Sequence, residues 1–135
     1  MYFERELNYR IEVKSLSESP VMLEIMFILL SSDEPLRIKE ISEKSGRKPP
    51  QISLILRKLV EMDLVKHENG IAFRFPYYYP STNLEKFFKG AIKRIVKKAG
   101  RMLPENREKY LSKYSPGIRK IVLKFLGEGN QYNLN

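Results

Sequence analysis

Apolar residues recur at helical spacing over residues 20–64 and predict three helices in this segment. The first is apolar around nearly its whole circumference, which is typical of a helix buried on several sides. Ser19 suits the capping position of that helix, and Gly46 suits the left-handed conformation that closes the second. The predicted helices run from about Pro20 to Ser31, from Ile38 to Ser45 and from Pro50 to Met62.

Alternation of apolar and polar residues predicts strands on both sides of these helices. Residues 3–13 alternate with period two, which favours a half-buried strand. Leu64–Glu68 and Ile71–Phe75 flank Asn69-Gly70, a pair that favours a two-residue hairpin turn. Residues 76–80, Pro-Tyr-Tyr-Tyr-Pro, are expected to form a stiff connector. Its tyrosines either stack on a partner or on bases, or pack between the hairpin and the C-terminal helices, and we favour packing.

The C-terminal part of the chain predicts one long amphipathic helix and two shorter helices. Ser81 or Thr82 can cap the long helix, whose apolar residues share one face. The predicted ranges are about Asn83 to Leu103, Pro104 to Tyr114 and Pro116 to Leu126, with a frayed tail after them.

Two short helices joined by a tight glycine-containing turn and followed by a hairpin describe a winged helix-turn-helix. Residues 36–75, LRIKEISEKSGRKPPQISLILRKLVEMDLVKHENGIAFRF, resemble the DNA-binding core of MarR- and ArsR-type bacterial and archaeal transcription regulators. Residues 19–32 resemble the helix that precedes this core. The resemblance implies that the helix Pro50–Met62 is the recognition helix in the DNA major groove. It also implies that the hairpin Val65–Phe75 is a wing that touches the backbone or the minor groove.

The sequence departs from the family pattern at two places in the recognition helix. Small hydroxyl residues are common where this chain has Pro49-Pro50, and a basic or polar side chain is common where it has Leu54. Base readout is therefore expected to be sparse.

The expected fold is mainly α with a small β-hairpin, that is, a winged helix-turn-helix with an N-terminal strand and a C-terminal helical extension. The parts are a strand and linker (1–19), the winged helix-turn-helix core (20–76), a basic helical extension in the same compact domain (77–126) and a flexible tail (127–135).

The residue composition excludes several kinds of chemistry. The chain has no Cys and one His, which excludes disulfides, thiolate catalysis, Cys-ligated zinc and His-based triads. Gly-rich phosphate loops and carboxylates at metal-binding spacing are absent from the sequence. We therefore expect no cofactor, no metal and no enzymatic activity. The single imidazole, His67, is expected to be an ordinary surface residue.

The positive charge lies in the C-terminal part. The chain has 25 Lys and Arg against 16 Asp and Glu, a net charge of +9. Residues 1–80 hold 12 basic and 12 acidic side chains, whereas residues 81–135 hold 13 and four. The basic residues of the long helix lie opposite its apolar face. Electrostatic attraction to DNA would therefore come largely from this helix.

Candidate DNA contacts follow from residue type and position. A Gln amide in the first turn of a recognition helix can pair with adenine in two hydrogen bonds, and Lys or Arg can neutralise phosphates. For Arg57 and Lys58, an ordinary solvated helix face is the alternative. The predicted base contacts are Gln51, Ser53 and Lys48, and the predicted backbone contacts are Arg47, Arg57, Lys58, Lys66, Arg74, Lys86, Lys89, Lys93, Lys97 and Arg101.

The long basic helix leaves three interpretations open. Its lysines follow DNA phosphates, or its apolar face packs on a partner protomer while the lysines are solvated, or it lies on an anionic membrane. The first two are compatible and together favoured, and the absence of Trp from the chain argues against the membrane. The alternative function is accordingly a protein-protein or membrane-surface module that uses residues 83–103.

The expected partner is double-stranded DNA, bound by a homodimer that forms through the C-terminal helices. The strand at residues 3–13 must pair with another strand, and the wing and the same strand of the second copy are the two candidates. Two recognition helices about 34 Å apart imply a pseudo-palindromic site. The N-terminal residues lack a signal-peptide pattern, so we expect a cytoplasmic, nucleoid-associated protein. The low Gln and Ala content is a feature of proteins from hot environments, including archaeal ones.

Overall fold

The computed structural model describes residues 19–69 and 75–133, with side chains to Gly127. Within these ranges it contains six helices and one antiparallel pair of strands, which confirms the predicted mainly α fold with a hairpin. The predicted strand at residues 3–13 lies outside the described residues. The elements are α1 (Pro20–Ser31), α2 (Ile38–Ser45), α3 (Pro49–Glu61), β1 (Val65–Asn69), β2 (Pro76–Pro80), α4 (Leu84–Gly100), α5 (Pro104–Leu111) and α6 (Pro116–Asn133).

Helix α1 has the predicted bounds and the predicted cap. The carbonyl oxygen of Ser19 accepts the backbone N–H of Leu23 at 3.0 Å, and its hydroxyl accepts the N–H of Met22 at 3.4 Å. The first is the first hydrogen bond of the helix itself, and the second satisfies one of the backbone donors that a helix start leaves without an intrahelical partner. The buried side chains of α1 are Met22, Leu23, Ile25, Met26 and Leu29.

The chain folds as two compact units. Residues 24–89 form the first, and residues 90–133 together with the start of α1 belong to the second. The predicted boundary at residue 76 stays a prediction. The buried apolar residues of the first unit are Ile25, Met26, Leu29, Leu36, Ile41, Ile52, Leu56, Leu59, Leu64, Val65, Leu84 and Phe88. Those of the second unit outside α1 are Ala91, Ile92, Ile95, Ala99, Leu111, Tyr114, Ile118, Val122 and Leu126.

The turn between α2 and α3 forms as the sequence predicts. Gly46 has a φ of 71°, in the left-handed region, and its N–H donates to the carbonyl of Ser42 at 2.8 Å. At the start of α2, the backbone N–H of Arg37 donates to the Glu40 carboxylate at 3.2 Å. Helix α3 begins at Pro49, one residue before the predicted start, because a first-turn proline lacks only an N–H that the helix does not use.

The predicted pairing partner of β1 is wrong. Asn69 pairs with Pro76 and Val65 with Pro80, whereas Gly70 and residues 71–74 of the predicted strand Ile71–Phe75 lie outside the described residues. The partner of β1 is therefore the tyrosine segment that the sequence predicts to be a connector, and the wing extends to residue 80 instead of Phe75.

Two prolines are compatible with β2 because of the direction in which their backbone nitrogens point. Tyr78 exchanges both backbone hydrogen bonds with Leu36, at 2.8 and 2.9 Å, as an isolated antiparallel bridge. Successive residues of a strand direct their backbone N–H groups to opposite sides, so residues two or four positions apart direct them to the same side. The backbone nitrogens of Pro76 and Pro80 therefore point the same way as the N–H of Tyr78, towards Leu36 and away from β1. Neither proline therefore removes a hydrogen bond from the β1–β2 ladder.

The C-terminal helices confirm the predicted order and differ in length. The guanidinium of Arg107 donates to the Ala99 carbonyl at 2.9 Å near the end of α4, which stops at Gly100 and not at Leu103. Helix α5 ends at Leu111 instead of Tyr114. Helix α6 continues to Asn133, so its predicted end at Leu126 is wrong: Gly127 lacks the positive φ that would end the helix there. The flexibility of residues 127–135 stays a prediction.

Candidate nucleic-acid interface

Helix α3 has one buried face, as the sequence predicts. Ile52, Leu56 and Leu59 are fully buried in the first unit, and Ile55 is half-buried. A helix of 3.6 residues per turn that buries these positions turns the opposite side to solvent. Leu54 lies on that opposite side and is 52% exposed.

The predicted base-contacting residues lie at the start of α3. Lys48 and Gln51 are exposed, whereas Ser53 is half-buried at the flank of the helix. The Lys48 carbonyl accepts the N–H groups of Gln51 and Ile52 at 3.1 and 3.2 Å. Because the two residues before Gln51 are prolines, the first four residues of α3 offer no unused backbone donor, and any contact at this end is made by side chains.

Arg47 is engaged within the first unit. Its Nε donates to the Glu24 carboxylate of α1 at 2.9 Å, and the two side chains are 31% and 13% exposed. A half-buried ion pair of this kind fixes the guanidinium. The role of Arg47 as a DNA backbone contact stays a prediction. In the structure its side chain forms an ion pair that joins the turn before α3 to α1.

Replacement of Arg47 by alanine is expected to lower the free energy of unfolding by about 1–2 kcal/mol, because the nearly buried Glu24 carboxylate loses its charged donor. Urea unfolding monitored by circular dichroism measures the change. The exposed neighbour Lys48 is the matched control, and Lys48→Ala should change stability by less than about 0.5 kcal/mol. Equal stability losses in both variants would contradict the assigned role of the ion pair.

The wing brings a phenol and an imidazole together. His67 and Tyr78 are cross-strand partners with ring centroids 5.9 Å apart. Burial raises the pKa of the Tyr78 phenol, and the positive charge of Arg57 opposes that increase. Tyr78 thus keeps its proton at neutral pH and lies within the electrostatic reach of an exposed cation of α3.

The opposite face of the wing carries Tyr77 and Tyr79. The Tyr79 hydroxyl donates to the Glu68 carboxylate at 3.1 Å, and this hydrogen bond raises the pKa of the Tyr79 phenol. Arg37 lies over the Tyr77 ring, 4.5 Å from its centroid, and also donates to the Tyr77 hydroxyl. These contacts connect the wing to the start of α2, which favours packing over the stacking of all three tyrosines on a ligand.

The remaining predicted backbone contacts are distributed over several elements. Lys58 of α3 is half-buried, Lys66 of β1 is exposed, and Arg74 lies outside the described residues. In the α4 region, Lys89 pairs with Glu85 at 3.0 Å, and both side chains are about two-thirds exposed, so the pair contributes little stability. The exposed basic residues of this region are Lys86 and Lys89 in the first unit, and Lys93, Arg94, Lys97, Lys98 and Arg101 in the second.

The sequence prediction did not identify the half-buried Tyr78 as a strand residue of the wing. Three consecutive tyrosines have high β-propensity, and this signal could have identified β2. The Asn69-Gly70 pair instead predicted a tight turn, and the prolines at 76 and 80 predicted a connector between them.

The described residues contain no group of three or more His, Asp or Glu that could hold a metal ion. Within the described ranges, none of the helices has the length and apolar character needed to cross a bilayer.

An open groove of about 590 Å³ with a mainly apolar surface lies in the first unit. Its lining includes Ile38, Pro49, Phe75 and Pro76 as apolar residues and Arg37, Lys39 and Glu43 as charged residues.

Residues 23–85 match the family model of the sugar-specific transcriptional regulator TrmB. Comparison with curated proteins finds no match in sequence. Among solved structures, the PcaV transcriptional regulator from Streptomyces coelicolor, in complex with its natural ligand, is similar with a TM-score of 0.55 and 10% identity, over 96% of this chain and 89% of that one.

Two further structures have similar folds. The S. aureus MepR-DNA complex gives a TM-score of 0.51 and 17% identity, over 84% of this chain and 95% of MepR. The MarR family regulator AbsC from Streptomyces coelicolor gives a TM-score of 0.52 and 13% identity, over 89% of this chain and 91% of AbsC. At these identities the structures establish a shared fold. The resemblance predicted from residues 36–75 is thereby confirmed: residues 23–85 match a transcription-regulator model, and the chain has the winged-helix fold of the MarR-family structures.

Proposed function

We propose that this protein binds double-stranded DNA through α3 and the wing and thereby regulates transcription. The observation that carries the proposal is the exposed side of α3. This side presents Gln51 and Arg57 to solvent, next to the exposed N-cap residue Lys48, while the other side is buried in the first unit. The match to a transcription-regulator model and the similar fold of MepR in its complex with DNA support the same function.

Base reading falls mainly to Gln51. Its amide can donate to and accept from an adenine edge at once, and it stands in the turn of α3 that a helix inserts first into the major groove. Ser53 is half-buried and therefore has the smaller part. Lys48 and Arg57 lie on either side of Gln51 along the chain and supply the cations that phosphates require.

The basic side of α4 supplies affinity that does not depend on sequence. Its lysines are exposed, and the helix carries no acidic residue after Glu85. Each phosphate that is neutralised contributes about 0.9 to the salt dependence of binding, so four to six contacts give a steep dependence. In this proposal, α3 selects the site and α4 contributes much of the binding strength.

We further propose a homodimer that acts on nucleoid DNA in the cytoplasm. Leu123 and Phe125 of α6 are 53% and 49% exposed, so each offers apolar surface to a second copy. A two-fold symmetric dimer reads two half-sites separated by one DNA turn, about 10 base pairs.

Selection of bound duplexes from a random DNA pool tests the function. The expected product is a palindrome with half-sites about 10 base pairs apart, and Gln51→Ala should relax the preference at one position by about 1–3 kcal/mol. Lys66→Ala, which removes a proposed phosphate contact of the wing, is the matched control and should lower the affinity for all DNA sequences alike. The absence of any enriched sequence would contradict sequence-specific binding. Binding to liposomes or to a protein that survives nuclease treatment would favour the alternative module.

A further inference from the structure

The exposed side of α3 is apolar at its centre. On a helix of 3.6 residues per turn, Leu54 points nearly opposite to the mean direction of the fully buried residues of α3. More than half of its surface is exposed, at 52%. Pro50, one turn earlier, is also exposed. We call Pro50 and Leu54 the apolar ridge.

The surroundings of the apolar ridge indicate what it contacts. Exposed Lys48 and Gln51 lie beside its N-terminal end, and exposed Arg57 follows one turn after Leu54. A surface with cations around a small apolar centre complements a ligand that has anions around small apolar groups. The DNA major groove is such a ligand, since phosphates border it and the thymine 5-methyl group is its apolar feature.

The position of the acidic residue of α3 indicates which part of the helix reads bases. Glu61, in the last turn, is the only acidic residue of this helix. It lies seven residues after Leu54, about 10.5 Å along the axis, and its carboxylate repels phosphates. The N-terminal part of α3, which includes the apolar ridge, is therefore the part compatible with the groove.

We propose that Leu54 is a specificity-determining residue that contacts the 5-methyl group of a thymine, with Pro50 covering the adjacent step. Gln51 lies between them in sequence and reads a neighbouring adenine, so each half-site contains A·T pairs opposite the N-terminal part of α3. This inference rests on the proposed function and adds the class of base pair that the site selects. It also gives a role to the leucine that departs from the polar residues common in similar regulators.

Uracil substitution tests the contact because it removes only the methyl group from thymine. Each thymine of the selected half-site is replaced in turn, and the dissociation constant is measured at fixed salt. At one position the wild-type protein is expected to lose affinity about fourfold, which corresponds to about 0.8 kcal/mol for one buried methyl group. Leu54→Ala, which keeps a strong helix former in α3, should bind thymine and uracil duplexes equally at that position.

Leu103→Ala is the matched control, because Leu103 is 71% exposed and lies outside α3. It should retain the full uracil effect. A wild-type protein that is indifferent to uracil at every position, a Leu54→Ala variant that keeps the effect, or a selected half-site without A·T pairs would each overturn the inference. Salt-dependent DNA binding without any uracil effect overturns only this inference, whereas no DNA binding at all overturns the proposed function as well.

Discussion

Charge reversal at two lysines of α4, Lys93→Glu together with Lys97→Glu, is expected to weaken binding to every DNA duplex on the order of 100-fold at 50 mM salt. Both side chains are exposed and lie one helical turn apart on the basic side of α4. Each substitution removes a cation that displaces condensed counterions and adds an anion that repels phosphate. The slope of log K against log salt should become shallower by about 1.8, which is 0.9 for each lost contact.

Lys120→Glu together with Lys124→Glu is the matched control for this experiment. These lysines are also exposed and one turn apart, on α6, so the net charge changes by the same amount. Fluorescence anisotropy with one specific and one unrelated duplex, between 50 and 300 mM salt, measures both variants. Equal losses in the two double variants would mean that net charge alone attracts DNA. Tight wild-type binding that ignores salt over this range would contradict an electrostatic contribution from α4.

Helices α1 and α2 could be predicted from the sequence because local signals define them. Ser19 followed by Pro20 marks the start of α1, and Gly46 marks the end of α2 through its left-handed backbone. Each signal acts within one helical turn, so the residues beside it in sequence contain the information. The bounds of α1 and α2 agree with the prediction for this reason.

The wing could not be predicted in the same way. Asn69-Gly70 favours a tight turn locally, yet the register is fixed by pairs that are distant in sequence. Leu36 and Tyr78 are 42 positions apart and exchange two backbone hydrogen bonds. This contact makes Tyr78 part of β2, and the preference of one turn dipeptide does not outweigh it.

The candidate site shows the same division between local and distant information. The exposed position of Gln51 follows from the apolar spacing of α3, which the sequence displays. The ion pair of Arg47 with Glu24 joins residues 23 positions apart, and nothing near Arg47 in sequence indicates it. Residue type therefore predicted which side chains carry positive charge, while the fold decides which of them remain available to a ligand.

Two leucines of α3, only two residues apart, should separate stability from recognition. Leu56 is fully buried in the first unit, whereas Leu54 is 52% exposed. Replacement of Leu56 by alanine leaves a cavity in the core, and the free energy of unfolding is expected to fall by about 2–5 kcal/mol. Leu54→Ala creates no cavity and should change it by less than about 0.5 kcal/mol.

Two measurements are made on both variants: urea unfolding, and binding to thymine and uracil duplexes. We expect each variant to change one of the two results and to leave the other unchanged. Leu56→Ala lowers the midpoint of unfolding and the fraction of active protein, but molecules that remain folded keep the thymine preference because Leu54 is still in place. Leu54→Ala keeps the midpoint and loses the preference. If both variants lost stability equally, the exposed position of Leu54 would be wrong. If Leu56→Ala alone removed the thymine preference at full folding, the buried face of α3 would be the one that reads DNA, and the orientation proposed for the helix would be reversed.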